Sequence, residues 1–218
     1  MADTFPARIS RRTVVAATMA ALPLGAASRA AAARAKVVTV LGDSITAGYG
    51  LSASAALPAQ LQQALQALGV ASVVRGAGVS GDTSANGAAR MDFSIRADTS
   101  AVVVALGGND LLQGIDPKVT RRNLDRILTR LKQRGFGVVL AGLHAPPELG
   151  RGYARDFDAV YSGLAKAHRI AFYPDLLAGV GRNPALNQAD GIHPNAQGVQ
   201  IIARSLAPTV ARVLAKQP

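Results

Sequence analysis

The sequence contains no cysteine. A disulfide framework and any cysteine-based metal or redox site are thereby excluded, and cysteine usage says nothing about the compartment. Aromatic residues amount to only 4% and do not interleave with basic ones, so the net charge of +11 does not point to nucleic acid. Charged residues are also sparse, at 17% against 49% hydrophobic. That balance, with apolar runs broken by Gly, Pro and Asp, excludes a disordered chain and describes a compact globular one. An uninterrupted apolar run long enough to span a bilayer is missing too, because the most apolar stretch is broken by Pro23 and Gly25.

That stretch belongs to a segment, Ile9 to Ala35, laid out like a targeting signal. Ser10-Arg11-Arg12-Thr13-Val14-Val15 precedes an Ala-rich run to about Ala27, and small residues surround Ala33-Arg34-Ala35. The segment resembles a twin-arginine export signal. An ordinary Sec signal is the other reading, and either leads out of the cytoplasm. We therefore expect an export signal over residues 1–35, engaged by export machinery, and one domain over residues 36–218 in the periplasm or secreted. Removing the first 35 residues takes away five arginines and one aspartate, leaving 19 basic against 12 acidic residues, or +7. Many of these cations fall between Lys118 and Arg134, where Arg122, Arg126 and Arg130 share one helix face opposite Leu124, Ile127, Leu128 and Leu131. This reads as a solvated outer face, with weak attraction to anionic surfaces as its functional alternative.

From Lys36 onward, short β-branched runs alternate with longer segments of helical period. The strand candidates are Val37–Leu41, Val70–Arg75, Ala101–Leu106, Val138–Leu143 and Ile170–Tyr173. Between and after them lie apolar stripes at spacings of three and four: Leu57, Leu61, Leu65 and Leu68; Leu124 to Leu131; Phe157, Val160, Tyr161 and Leu164; and Val199, Ile202, Leu206, Val210 and Val213. The strands are apolar on both faces, as a parallel sheet covered on both sides requires. The pattern predicts an α/β three-layer sandwich around a five-stranded parallel sheet, whose ligand chemistry collects at the carboxyl ends of the strands.

Polar motifs fall at that edge. The first strand runs into Gly42-Asp43-Ser44-Ile45-Thr46, where a serine in a tight turn is either a nucleophile with its own N–H near an oxyanion, or a helix cap. The second leads into Gly76-Ala77-Gly78-Val79-Ser80-Gly81-Asp82, and the third into Gly107-Gly108-Asn109-Asp110, which offers a side-chain amide. Beyond the fifth comes Asp190-Gly191-Ile192-His193-Pro194. A carboxylate three residues before a histidine can hold its Nδ1 proton and leave Nε2 free to deprotonate a serine. Asp43 and Asp110 read as turn supports, His144 as a plain loop residue, with a place in the acyl-pocket lining as its functional alternative, and Glu148–Tyr153 as a mobile pocket wall. Tyr49 and the Leu111-Leu112 pair border the acyl site or merely pack.

In order and spacing these four segments resemble the SGNH or GDSL hydrolase family, over essentially the whole chain from Lys36. Within it, Gly42 to Gly50, Ser80-Gly81-Asp82-Thr83 and Leu106 to Asp110 look most like the bacterial arylesterase, thioesterase and lysophospholipase branch. The resemblance implies a flavodoxin-like fold, Ser44 as nucleophile, His193 as base and Asp190 as its orienting acid. It also implies an oxyanion hole from the N–H groups of Ser44 and Gly81 and the amide of Asn109. No cofactor or metal is expected, and the partner is a small-molecule ester or lipid met by a monomer. Aryl and short- to medium-chain esters, thioesters or lysophospholipids are the expected substrates, with acetylated carbohydrate as an alternative. Two further classes are weighed. A two-metal phosphoesterase built on Asp43, Asn109, Asp110, Asp190 and His193 lacks further histidines, since only His144 and His168 remain. A flavin- or phosphate-binding module using Ser44, Thr46, Ser80 and Thr83 leaves Asp190 and His193 without work.

Overall fold

The computed structural model of the chain describes residues 1–2 and 35–217, so the expected export segment lies outside the described residues apart from Ala35 and the first two positions. Five strands form one wholly parallel sheet: β1 (Lys36–Gly42), β2 (Ser72–Gly78), β3 (Ala101–Ala105), β4 (Gly137–Ala141) and β5 (Ala171–Tyr173). Their spatial order is β2-β1-β3-β4-β5, the flavodoxin-like arrangement. Every residue of the interior strands β3 and β4 is buried, which is why their sequences are apolar without alternation.

The helices bury the stripes read from the sequence. Leu57, Leu61 and Leu65 lie on α2 (Leu57–Ala67), where α1 is the single turn Ser44–Ala47 that precedes it. Leu68 departs from the expected stripe and is half exposed, because the helix ends at Ala67 and Gly69 turns the chain with φ 74°. The next two helices are α3 (Ser84–Ser94) and α4 (Gly108–Leu112). Helix α5 (Pro117–Gln133) starts on an Asp116 cap followed by Pro117 and buries Leu124, Ile127, Leu128 and Leu131, with Arg122, Arg126 and Arg130 outward. Helix α6 (Arg151–His168) buries Phe157, Val160, Tyr161 and Leu164, and α7 (Ala196–Leu214) closes the chain from an Asn195 cap. Helices α2 and α7 pack together on one face of the sheet; α3, α5 and α6 cover the other.

Strand β2 begins two residues later than expected and runs three further. Val70 is spent in the turn after α2, where its N–H donates to the Leu65 carbonyl. At the other end Gly76-Ala77-Gly78 pairs with β1 instead of forming a loop. A Cβ on Gly78 would lie 2.4 Å from the Ala47 nitrogen, so the glycine lets β2 pass directly against α1.

Candidate active site

Ser44 is the first residue of α1, at the carboxyl end of β1. It does not cap that turn. Asp43 does, its carboxylate accepting the Ile45 N–H at 3.1 Å, so the Ser44 hydroxyl has no capping duty. That hydroxyl lies 2.9 Å from Nε2 of His193, and Nδ1 of the same ring lies 2.6 Å from Oδ2 of Asp190. The other carboxylate oxygen of Asp190 accepts the backbone N–H groups of Ile192 and His193, each at 2.9 Å. Carboxylate and imidazole therefore belong to one turn that folds on itself. The His193 N–H, the His193 ring and the Ile192 N–H together hold the Asp190 carboxyl down to about 2. Against an ionised Asp190 the Nδ1 atom keeps the proton, and Nε2 is left as the acceptor for the serine. The turn is tied to the rest of the edge by Gln188, whose carbonyl accepts the Gly191 N–H at 3.0 Å, and which donates its backbone N–H to the His193 carbonyl and its side-chain amide to the Tyr49 carbonyl, both at 2.8 Å. The Tyr49 ring packs against that of His193 with centroids 4.7 Å apart.

Gly81 and Asn109 line the same cavity as Ser44 and His193. Gly81 takes φ 87°, a left-handed conformation that suits glycine, and neither its N–H nor that of Ser44 is donated to another group among the described residues. One hydrogen of the Asn109 amide goes to the Asp82 carbonyl at 2.9 Å, leaving the second available. The turn before Asn109 depends on Gly107, whose φ of 116° and close approach to the Tyr161 hydroxyl exclude a side chain. Asp110 is fully buried and supports this loop: it accepts the Ser84 N–H at 2.7 Å, the Ser84 hydroxyl at 2.5 Å and the Thr120 hydroxyl at 3.0 Å. Its reading as a turn support agrees with these contacts, as does that of Asp43.

Three features of the site were not anticipated. Arg90, on α3, donates from Nε to the Asp82 carboxylate at 2.5 Å and from a terminal nitrogen to the Gly42 carbonyl at 2.8 Å, so it ties the first two loops together. The signal that could have located α3 is the box at its start, where Thr83 and Asn86 cap each other's backbone N–H. Asp43 is buried beneath the serine, and burial lifts its carboxyl from 3.8 to about 6 against the pull of the Ile45 N–H and of His193. Leu176 and Leu177, after β5, complete the apolar wall. That wall also contains Ile45, Leu111, Leu112 and Leu143, and the cavity it bounds measures about 290 Å³. His144 lines it as well. The segment Glu148–Tyr153 does not; it forms a 3₁₀ turn, Pro147–Leu149, and the start of α6, because Gly150 allows the chain to enter that helix at φ 101°. His168 lies outside the site, with Nε2 2.6 Å from Asp125.

A parallel 2-1-3-4-5 sheet with a serine, an imidazole and a carboxylate in register at its carboxyl edge belongs to a known class of hydrolases. The chain is a member of the GDSL-like lipase/acylhydrolase family, whose model matches residues 40–201. It is accordingly an enzyme that hydrolyses ester-type bonds. It is 37% identical over 183 residues to esterase TesA of Pseudomonas aeruginosa, an alignment covering 84% of this chain and 91% of that protein. It is 39% identical over 187 residues to thioesterase 1/protease 1/lysophospholipase L1 of Escherichia coli, covering 85% of each. The crystal structure of AlinE4, an SGNH-hydrolase family esterase, superposes with a TM-score of 0.69 at 40% identity, over 82% of this chain and 96% of that one. The fold expected from periodicity is the fold of this family.

Proposed function

We propose that the chain is a serine esterase in which Ser44 attacks the ester carbonyl while His193 takes its proton and Asp190 holds the imidazole in place. The observation that carries this reading is the continuous relay of 2.9 Å from Ser44 to His193 and 2.6 Å from His193 to Asp190. As the carbonyl becomes tetrahedral, its oxygen takes hydrogen bonds from the N–H groups of Ser44 and Gly81 and from the free hydrogen of the Asn109 amide. His193 then returns the proton to the leaving alcohol, phenol or thiol. Water enters, loses a proton to the same Nε2, and releases the acid from the acyl-serine.

The apolar wall and the cavity of about 290 Å³ favour aryl esters and short- to medium-chain acyl esters, with thioesters and lysophospholipids as further substrates in keeping with the relatives' names. Residues 1–35 act as an export signal, read from Ser10 to Val15 and the Ala-rich run, and the catalytic domain spans 36–218 as a periplasmic or secreted monomer.

The test is turnover of p-nitrophenyl esters of increasing chain length by the purified protein and by Ser44→Ala, with mass spectrometry after exposure to an organophosphonate. We expect loss of activity in the variant and a single adduct on the peptide that contains Ser44. Undiminished turnover by Ser44→Ala would overturn the assignment. Sequencing the N-terminus of the protein recovered outside the cytoplasm tests the export boundary, and an intact Met1 there would refute it.

A further inference from the structure

Among the polar side chains that line the cavity, Asp43, Ser44, Ser80, Asn109 and His193 come from the loops of the catalytic constellation, and Tyr49 packs on the His193 ring. His144 comes from none of these loops. It follows β4 and stands among leucines, yet it is held as deliberately as His193: Nδ1 lies 2.9 Å from Oδ2 of Asp158, and Oδ1 of that carboxylate accepts the Ala145 N–H at 2.9 Å. Asp158 is on α6 and does not itself line the cavity. A carboxylate only accepts, so the proton between the two side chains is on Nδ1. In the neutral imidazole Nε2 is then an acceptor, and it has no partner among the described residues. The wall therefore offers one oriented acceptor beside leucines on an exposed part of the cavity lining, where a substrate hydroxyl competes with water for Nε2 and an apolar group gains nothing from it.

We propose that His144 is a specificity-determining residue that accepts a hydrogen bond from a hydroxyl of the substrate, so that the enzyme favours esters carrying a free hydroxyl. The inference rests on the reading of Ser44 as nucleophile. The hydroxyl has two possible sources, the alcohol part of the ester or the acyl part, and the chemistry recognised is the same.

Matched pairs separate the two: a hydroxyalkyl ester against its methyl ether, and a hydroxyacyl ester against its methyl ether. The ether keeps the oxygen but cannot donate. In one pair the wild-type protein should give a kcat/KM ratio of hydroxyl to ether of roughly three- to ten-fold, and that pair identifies the side. His144→Phe should bring the ratio to about one. Asp158→Asn provides a second, independent reading. Its amide oxygen must still meet the Ala145 N–H, so its NH₂ faces Nδ1 and moves the ring proton to Nε2. A donor at Nε2 is satisfied by the ether oxygen, and the ratio should again fall to about one while the imidazole stays in place. A ratio near one in both pairs for the wild type, or a preference that persists in both variants, would overturn the proposal. Failure of the nucleophile assignment is seen elsewhere, as undiminished turnover by Ser44→Ala, and leaves these ratios measurable.

Discussion

The side-chain amide of Asn109 donates to the backbone carbonyl of Asp82 across 2.9 Å, and so joins the loop after β3 to the loop after β2. The bond spends one hydrogen on orientation and leaves the other free for the oxyanion proposed above. Removing the side chain should therefore strike the rate more than the fold. Asn109→Ala is expected to lower kcat by on the order of 100-fold or more with a small change in KM. Wild-type turnover by the variant would take Asn109 out of the site.

Arg90 stands behind this bond, because it holds the Asp82 side chain and the Gly42 carbonyl at once. Its guanidinium fork reaches two loops, a geometry that an ammonium group cannot copy. Arg90→Met should reduce kcat at least ten-fold and destabilise the protein by about 3 kcal/mol, since it strands a largely buried Asp82 carboxylate. Arg90→Lys should recover part of the stability but little of the rate. Steady-state kinetics and urea titration of both variants measure this split, and equal recovery of both quantities by lysine would argue against a positioning role.

Two carboxyls of the site should imprint opposite slopes on stability at different pH. Asp43 is raised in the folded protein from 3.8 to about 6, so the folded state binds the extra proton between those values. Its contribution is fully present below about pH 3.8 and is lost as the pH rises through 6. Asp190 is lowered to about 2, so its contribution is present above 3.8 and is lost as the pH falls through 2. Asp43→Asn keeps an acceptor for the Ile45 N–H but cannot ionise. Relative to this variant the wild type should lose up to about 3 kcal/mol between pH 4 and 7. A pH-independent difference, measured by urea unfolding across that range, would contradict the assignment.

Gly107→Ala should cost about 2 kcal/mol or more, because a Cβ there meets a left-handed backbone and lies 2.0 Å from the Tyr161 hydroxyl. That hydroxyl otherwise donates to the Leu106 carbonyl at 3.1 Å. Tyr161→Phe removes the obstructing oxygen, so the double variant should be more stable than the sum of the two single effects implies. Strict additivity in a double-mutant cycle would show that backbone conformation alone sets the cost.

The strands β1, β3 and β4, and the helices α2, α5, α6 and α7, were legible in the sequence because each buries an apolar run or stripe, and the edge strands β2 and β5 were legible from short apolar runs that are only partly buried. Helix α3 was not. Its buried positions are Ser84, Gly87 and Met91, and Ser84 faces the carboxylate of Asp110, so no hydrophobic period marks it. The single-turn helices α1 and α4 are too short for any periodicity to register. The glycines of β2 looked like a loop and proved to be a strand, since nothing local reveals that α1 passes across them. At the site, Asp190 and His193 could be paired by eye because three residues separate them in one turn. The pairs Arg90–Asp82 and His144–Asp158 could not, because tertiary packing alone brings α3 and α6 to bear on those loops.

Ser44 and His193 stand 149 residues apart, and His193 lies two residues before the Asn195 cap of α7, the helix that packs on α2. A chain still being synthesised thus presents the serine turn before the proposed base exists, and one clipped before its last helix keeps His193 but loses the helix that follows it. With Ser44 and His193 in the roles proposed, hydrolytic competence would arrive late in synthesis, and loss of activity on trimming α7 would report the seating of the histidine turn more sensitively than any measure of secondary structure.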